Sequence, residues 1–176
     1  MDYRPVFLVV GILLSMLAAG MVVPAIVDAV AGNAGWQGFI VSAGVTLFVG
    51  VSMALTSRTT TGRLSVRQAF LMVTLSWVAL TVFASLPFAF SSLDMSFTDA
   101  FFEAMSGITT TGSTVITNLD YAPPGILMWR ALLQWLGGIG IIVMAIAIFP
   151  LLGVGGMQLF RMEAADPSEK VLPRAA

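Results

Sequence analysis

The sequence predicts an all-α membrane protein: four transmembrane helices plus one re-entrant helix that leads into an extended loop. Three observations carry this. Hydrophobic residues make up 58% of the 176-residue chain and charged residues only 10%, whereas a soluble domain carries about 25% charged residues. Four charge-free runs, Pro5–Val27, Ala29–Ser57, Gln68–Leu93 and Ala131–Phe160, each exceed the roughly 18 apolar residues that mark a spanning helix. A fifth charge-free run, Ala104–Leu119, is short and rich in Thr, Ser and Gly. Backbone of that kind is tolerated at membrane depth only when buried in protein or lining a water-filled cavity.

The elements follow in order. The first run is longer than the about 7–15 apolar residues of a signal peptide. One basic residue, Arg4, stands upstream of it and no small-residue cleavage site stands before Asp28, so it reads as a span. Asp28 then falls in a connection and reads as a solvated loop residue. The second run ends at Arg58, and Thr59–Thr61 with Gly62 reads as a turn. Arg58, Arg63 and Arg67 cluster between the second and third spans, and Arg161, Lys170 and Arg174 follow the fourth. The connection from Ser91 to Met128 holds Asp94, Asp99, Glu103 and Asp120 and no basic residue. Basic loops stay in the cytoplasm, so both termini are expected there and the acidic connection outside. Arg130 is the exception and is expected to reach the outer headgroups. Trp36, Trp129 and Tyr121 fit an outer aromatic belt. Gly137, Gly138 and Gly140 in the fourth span read as close helix packing, and Pro150 with Gly153, Gly155 and Gly156 as a bend.

The acidic connection carries the functional signal. Ser96-Phe97-Thr98-Asp99 fits a capping box. A helix from about Phe97 to Gly107 follows, with apolar residues at helical spacing, and Gly107 is placed to end it. Its rise is about half the hydrocarbon thickness. Ile108 to Val115 is then extended, β-branched and broken once by Gly112. A helix of this length aims its partly negative C-terminal end at the membrane centre. An extended loop behind it can turn carbonyls toward a cation and replace its water ligands, and Gly112 admits the positive φ this needs. A span, a short pore helix, a filter loop and a second span form a re-entrant cation pore unit. The alternative is a polar loop packed against helices with no ion path. Asp99 suits the helix N-terminus. For Glu103 two roles stand open, attraction of cations to the pore mouth and hydrogen bonding to the neighbouring loop backbone. Asp120 adds negative potential at the mouth.

Composition excludes other classes. With no Cys and no His, disulfides, thiolate nucleophiles, Cys/His zinc sites and imidazole catalysis are ruled out. No charged pair within a span offers a proton relay, so no enzymatic activity and no cofactor are expected. A net charge of −1 argues against a nucleic-acid partner.

Phe101-Phe102-Glu103-Ala104-Met105-Ser106-Gly107-Ile108-Thr109-Thr110-Thr111-Gly112-Ser113-Thr114 resembles the first pore loop of the Trk/Ktr/HKT superfamily of potassium transporters. Trp129-Arg130 with Gln134-Trp135-Leu136-Gly137-Gly138-Ile139-Gly140 is similar to the start of the next helix there, and Leu159-Phe160-Arg161-Met162-Glu163 to its end. The resemblance implies K⁺ uptake in the bacterial plasma (inner) membrane by four helix–loop–helix units around one pore. It implies a cytoplasmic nucleotide-binding regulatory subunit and dimerisation. It places Thr110, Thr111, Gly112 and Ser113 in one quarter of the selectivity filter, with Thr109 at its inner and Thr114 at its outer end. K⁺ is then the transported ion, met by the backbone carbonyls of Thr110, Thr111 and Gly112. The domains expected are two leading helices over 1–60, one pore unit over 61–163 and a cytoplasmic tail over 164–176. The sequence holds one such unit, so an N-terminal fragment of a longer transporter is expected. A homo-oligomeric cation channel and a non-transporting remnant or scaffold are the alternatives.

Overall fold

The computed structural model describes residues 3–58 and 66–152, with side chains as far as Met144 in the last helix. The Thr59–Gly62 turn, Arg63, the Gly153–Gly156 bend and the basic tail from Arg161 lie outside the described residues. The elements are α1 (Arg4–Val30), α2 (Trp36–Thr56), α3 (Val66–Ala84), α4 (Leu86–Ala89), α5 (Phe97–Ile108), a 3-10 turn at Leu119–Tyr121, and α6 (Pro124–Leu152). Among the described residues there is no strand. Four helical stretches are long and apolar enough to cross a membrane: Arg4–Val30, Trp36–Thr56, Val66–Ala89 and Pro124–Met144. Large apolar side chains such as Phe48 and Ile142 stand exposed on them, as suits hydrocarbon rather than water.

α1 is the centre of the molecule and packs against α2, α3 and α6. Its residues Val10, Leu14, Leu17 and Met21 form the core with Phe39 of α2, Ala84, Phe88, Ala100 and Ala104, and Ile126, Trp129 and Leu133 of α6. Where α1 crosses α2, a β carbon at Gly11 would lie 2.6 Å from the Gly50 carbonyl, and one at Gly50 2.8 Å from the Gly11 carbonyl. Glycine on both helices lets the two backbones touch, the small-residue packing that holds helices together in lipid.

The ends of the spans differ from the charge-free runs for local reasons. α1 continues through Asp28 to Val30 and closes with Gly32 at φ +74°. There the amide of Asn33 donates to the Asp28 carbonyl (2.9 Å) and that of Gly32 to the Ala29 carbonyl (3.2 Å), a Schellman closure. α2 therefore starts only at Trp36. The third span breaks at Ser85, just before Pro87, which has no N–H to return to the preceding turn. The Ala84 carbonyl, in the last turn before the break, accepts from the Trp129 indole at 3.0 Å. Trp129 is thus no interfacial residue. It is fully buried and meets Phe39 edge to face, with ring centroids 6.3 Å apart. The interfacial expectation overlooked an internal carbonyl that needed a donor. Trp36 and Tyr121 are exposed.

Candidate functional site

α5 is an amphipathic helix of 12 residues with a well-defined start. The Asp99 amide donates to the Ser96 hydroxyl oxygen (3.2 Å), and that hydroxyl donates to the Asp99 carboxylate (2.7 Å). The cap holds as expected, except that Asp99 returns to the serine side chain rather than to its backbone. Ala100, Ala104 and Ile108 are buried, as is Glu103.

The end of α5 differs from expectation. Gly107 does not stop the helix. A β carbon there would stand 3.1 Å from the Leu133 β carbon, so Gly107 serves the packing of α5 on α6. The stop is a second Schellman motif. Thr111 N–H donates to the Ser106 carbonyl (3.0 Å) and Thr110 N–H to the Gly107 carbonyl (3.0 Å). The residue in the left-handed position is Thr110, at φ 59°. Glycine is usual there, and a β-branched residue in that region is strained. Two residues on, Gly112 has φ +80°, with nothing within 4 Å of where its β carbon would stand. Its need for glycine is therefore one of backbone conformation.

Ser106 and Glu103 lash the loop from one side. Ser106 accepts from Gly112 N–H as well (3.3 Å), and its hydroxyl donates to the Ser113 carbonyl at 2.6 Å. Both Glu103 oxygens are in use. Thr114 Oγ1 lies 3.0 Å from each, and Val115 N–H donates to Oε2 at 3.0 Å. Arg130 Nε donates to Oε1, forming an ion pair in which the Glu103 side chain is wholly buried and that of Arg130 nearly so. The Thr109 hydroxyl donates to the Met105 carbonyl (2.7 Å) and lies 2.8 Å from the Thr111 hydroxyl. Thr110 to Val115 remain exposed. Asp120 is exposed in the 3-10 turn that returns the chain to α6.

Thr109 to Thr114 thus form one strip of backbone, braced by Ser106 and Glu103 and open on the other side. Besides Trp129 and Gly107, three residues stand apart from the sequence-based expectation. Arg130 does not reach toward headgroups; it pairs with Glu103. Its charge suggested the start of the fourth span, but α6 begins at Pro124 and carries Arg130 inside it. Asp28 is not solvated: it is fully buried and accepts from Gly125 N–H at 2.7 Å. Ser106 joins the site beyond the residues expected from sequence: a hydroxyl in the last turn before a Thr/Gly loop is placed to bind it. The signal available for Arg130 was that a charge at the edge of an apolar span pairs with an opposite one, and Glu103 was at hand.

A set of apolar spanning helices that packs a short capped helix and an open polar loop is a polytopic membrane protein. The family described as TrkH, cation transport protein, matches residues 37–171. Trk system potassium uptake protein TrkH of Halomonas elongata is 44% identical over 99% of this chain, and TrkH of Escherichia coli K12 is 42% identical over all of it. In each the chain spans 37% of the relative's length. The crystal structure of the potassium transporter TrkH from Vibrio parahaemolyticus superposes with a TM-score of 0.84 at 42% identity, covering 94% of this chain and 36% of that one. The chain belongs to the TrkH family of cation transport proteins.

Proposed function

We propose that this chain supplies the first of four pore units in a K⁺ uptake protein of the bacterial inner membrane, and that Thr109–Thr114 is its share of the selectivity filter. The domains on this reading are the leading helices over 1–60, the pore unit over 61–163 and a cytoplasmic tail over 164–176. α5 and the loop are re-entrant, and the Asp120 end of the bundle faces outward with both termini inside. The remaining units and a cytoplasmic nucleotide-binding subunit complete the assembly.

One observation carries the reading. The loop is tied by Ser106 and Glu103 along one edge while Thr110, Thr111 and Gly112 stay exposed with two positive φ angles among them. Such a backbone is held rigid from behind and keeps carbonyls free in front, which is what replacing an ion's water shell requires. The half-length helix adds its negative end. Its Ile108 carbonyl abuts Gly137, where a β carbon would lie at 1.8 Å. In this arrangement Glu103 acts as a brace, its charge met by Arg130, and Asp120 supplies the negative potential at the mouth.

The test uses the full-length transporter in K⁺-uptake-deficient cells. Gly112→Ser forces a side chain onto a positive-φ residue and is expected to reduce K⁺ over Na⁺ preference while the protein still reaches the membrane. An unchanged ion preference would overturn the filter assignment.

A further inference from the structure

Asp28 lies in the last turn of α1, where a helix's own dipole disfavours negative charge. It is nonetheless buried completely. The reason lies in two other helices. Its Oδ1 accepts from the amide of Gly125 at 2.7 Å. Gly125 is the second residue of α6, and that amide belongs to the set a helix leaves without an internal partner. Pro124 has no amide hydrogen, and the amides of Ile126 and Leu127 donate to the Pro123 carbonyl. The carboxylate therefore completes the N-terminus of α6 in trans. Oδ2 has no hydrogen-bond partner among the described residues. A β carbon at Gly35, the N-cap of α2, would stand 2.6 Å from it, and one at Gly125 2.5 Å. Asp28 is thus wedged between the starts of α2 and α6, where the positive ends of two helix dipoles meet one negative charge. Glycine on both helices makes room for it.

α6 then carries Arg130 to Glu103, and Glu103 holds Thr114 and Val115. We propose that Asp28 is a positioning residue for the ion path. Its carboxylate seats the N-terminal ends of α2 and α6 and so sets the height of Arg130 against Glu103 and the loop. This rests on the filter reading above.

The experiment compares Asp28→Asn, Asp28→Ala, Gly125→Ala and Gly112→Ser in the full-length transporter. It measures membrane level, K⁺ half-saturation, maximal rate and K⁺ over Na⁺ preference. Asp28→Ala is expected to lower the preference by up to about tenfold, because the stability lost with one hydrogen bond to a charged group reaches the filter only in part. Asp28→Asn keeps the shape and an acceptor for Gly125 but not the charge, so a smaller, several-fold loss is expected at near-normal membrane level. Gly125→Ala drives a β carbon into the carboxylate and should reproduce the loss. Combining it with Asp28→Ala should add little. Normal preference in Asp28→Asn and Gly125→Ala, with Gly112→Ser altered, would overturn the positioning role alone. Normal preference in Gly112→Ser would overturn the filter reading and this inference with it. Should Asp28→Ala fail to reach the membrane, Asp28→Asn decides.

Discussion

Thr110 and Gly32 occupy the same position in two copies of one motif, the left-handed residue that closes a helix. At the end of α1 it is glycine, as expected; at the end of α5 it is a β-branched threonine. Strain of this kind persists where the surroundings over-determine the backbone, here the Ser106 carbonyl that holds the Thr111 amide ahead of Gly112 and the Ser106 and Glu103 side-chain bonds to Ser113 and Val115 after it. Replacing Thr110 by Gly should therefore raise stability by about 1 kcal/mol, read as a higher Tm of the purified full-length protein; no rise would mean the site is unstrained. Glu103 and Arg130 form the other residue-scale unit. Breaking a buried pair by removing one partner costs about 3–5 kcal/mol. Glu103→Gln should lower Tm strongly, and adding Arg130→Gln should cost far less than the sum of the two single effects. Additive losses would show that the two side chains act independently. The carboxylate of Glu103 was legible in the sequence as a loop-bonding candidate. Its guanidinium partner was not, because the two are far apart in the chain and a basic residue near Trp129 reads, in one dimension, as a membrane-surface pair.

At the scale of elements, α5 is placed by what α6 omits. A β carbon at Gly137 would overlap the Ile108 carbonyl, whereas at Gly138 nothing lies within 4 Å. Adjacent glycines thus make opposite predictions. Gly137→Ala should push α5 and the loop off α6 and abolish most K⁺ uptake, while Gly138→Ala should leave the packing of α5 on α6 intact and cost far less uptake. Equal effects at both positions would contradict the packing described. The sequence showed a glycine-rich stretch suited to close approach but not which glycine touches, since that depends on helix phase against a partner. The apolar runs and the Ser96 cap locate each described helix long and apolar enough to span, and the start of α5. The errors fell at ends. α6 starts ahead of Arg130 at Pro124, where the Asp28 carboxylate takes the Gly125 amide, and the buried pair with Glu103 lets it carry Arg130 inside; the third span breaks at Ser85 just before a proline, and hydropathy registers neither boundary.

For the whole molecule, one bundle end gathers Asp28, the α2 and α6 starts, the α5 cap and Asp120, while the other carries Arg58 and the ends of α2 and α6. The proposed orientation, from the bias of basic residues, puts the Arg58 end in the cytoplasm. These 176 residues contain no Cys, so single cysteines placed here in a full-length transporter cleared of any other cysteine report topology. Tyr121→Cys, at a residue 90% exposed, should react with an impermeant maleimide added to intact cells, and Arg58→Cys only after permeabilisation; the reverse pattern would invert the orientation. The most direct measurement of the central claim is a crystal structure of the full-length transporter grown in Rb⁺, with anomalous scattering used to locate the ion. The account predicts an Rb⁺ peak within coordination distance of the carbonyls of Thr110, Thr111 and Gly112. Ordered Rb⁺ elsewhere in the protein, with none at these carbonyls, would contradict it.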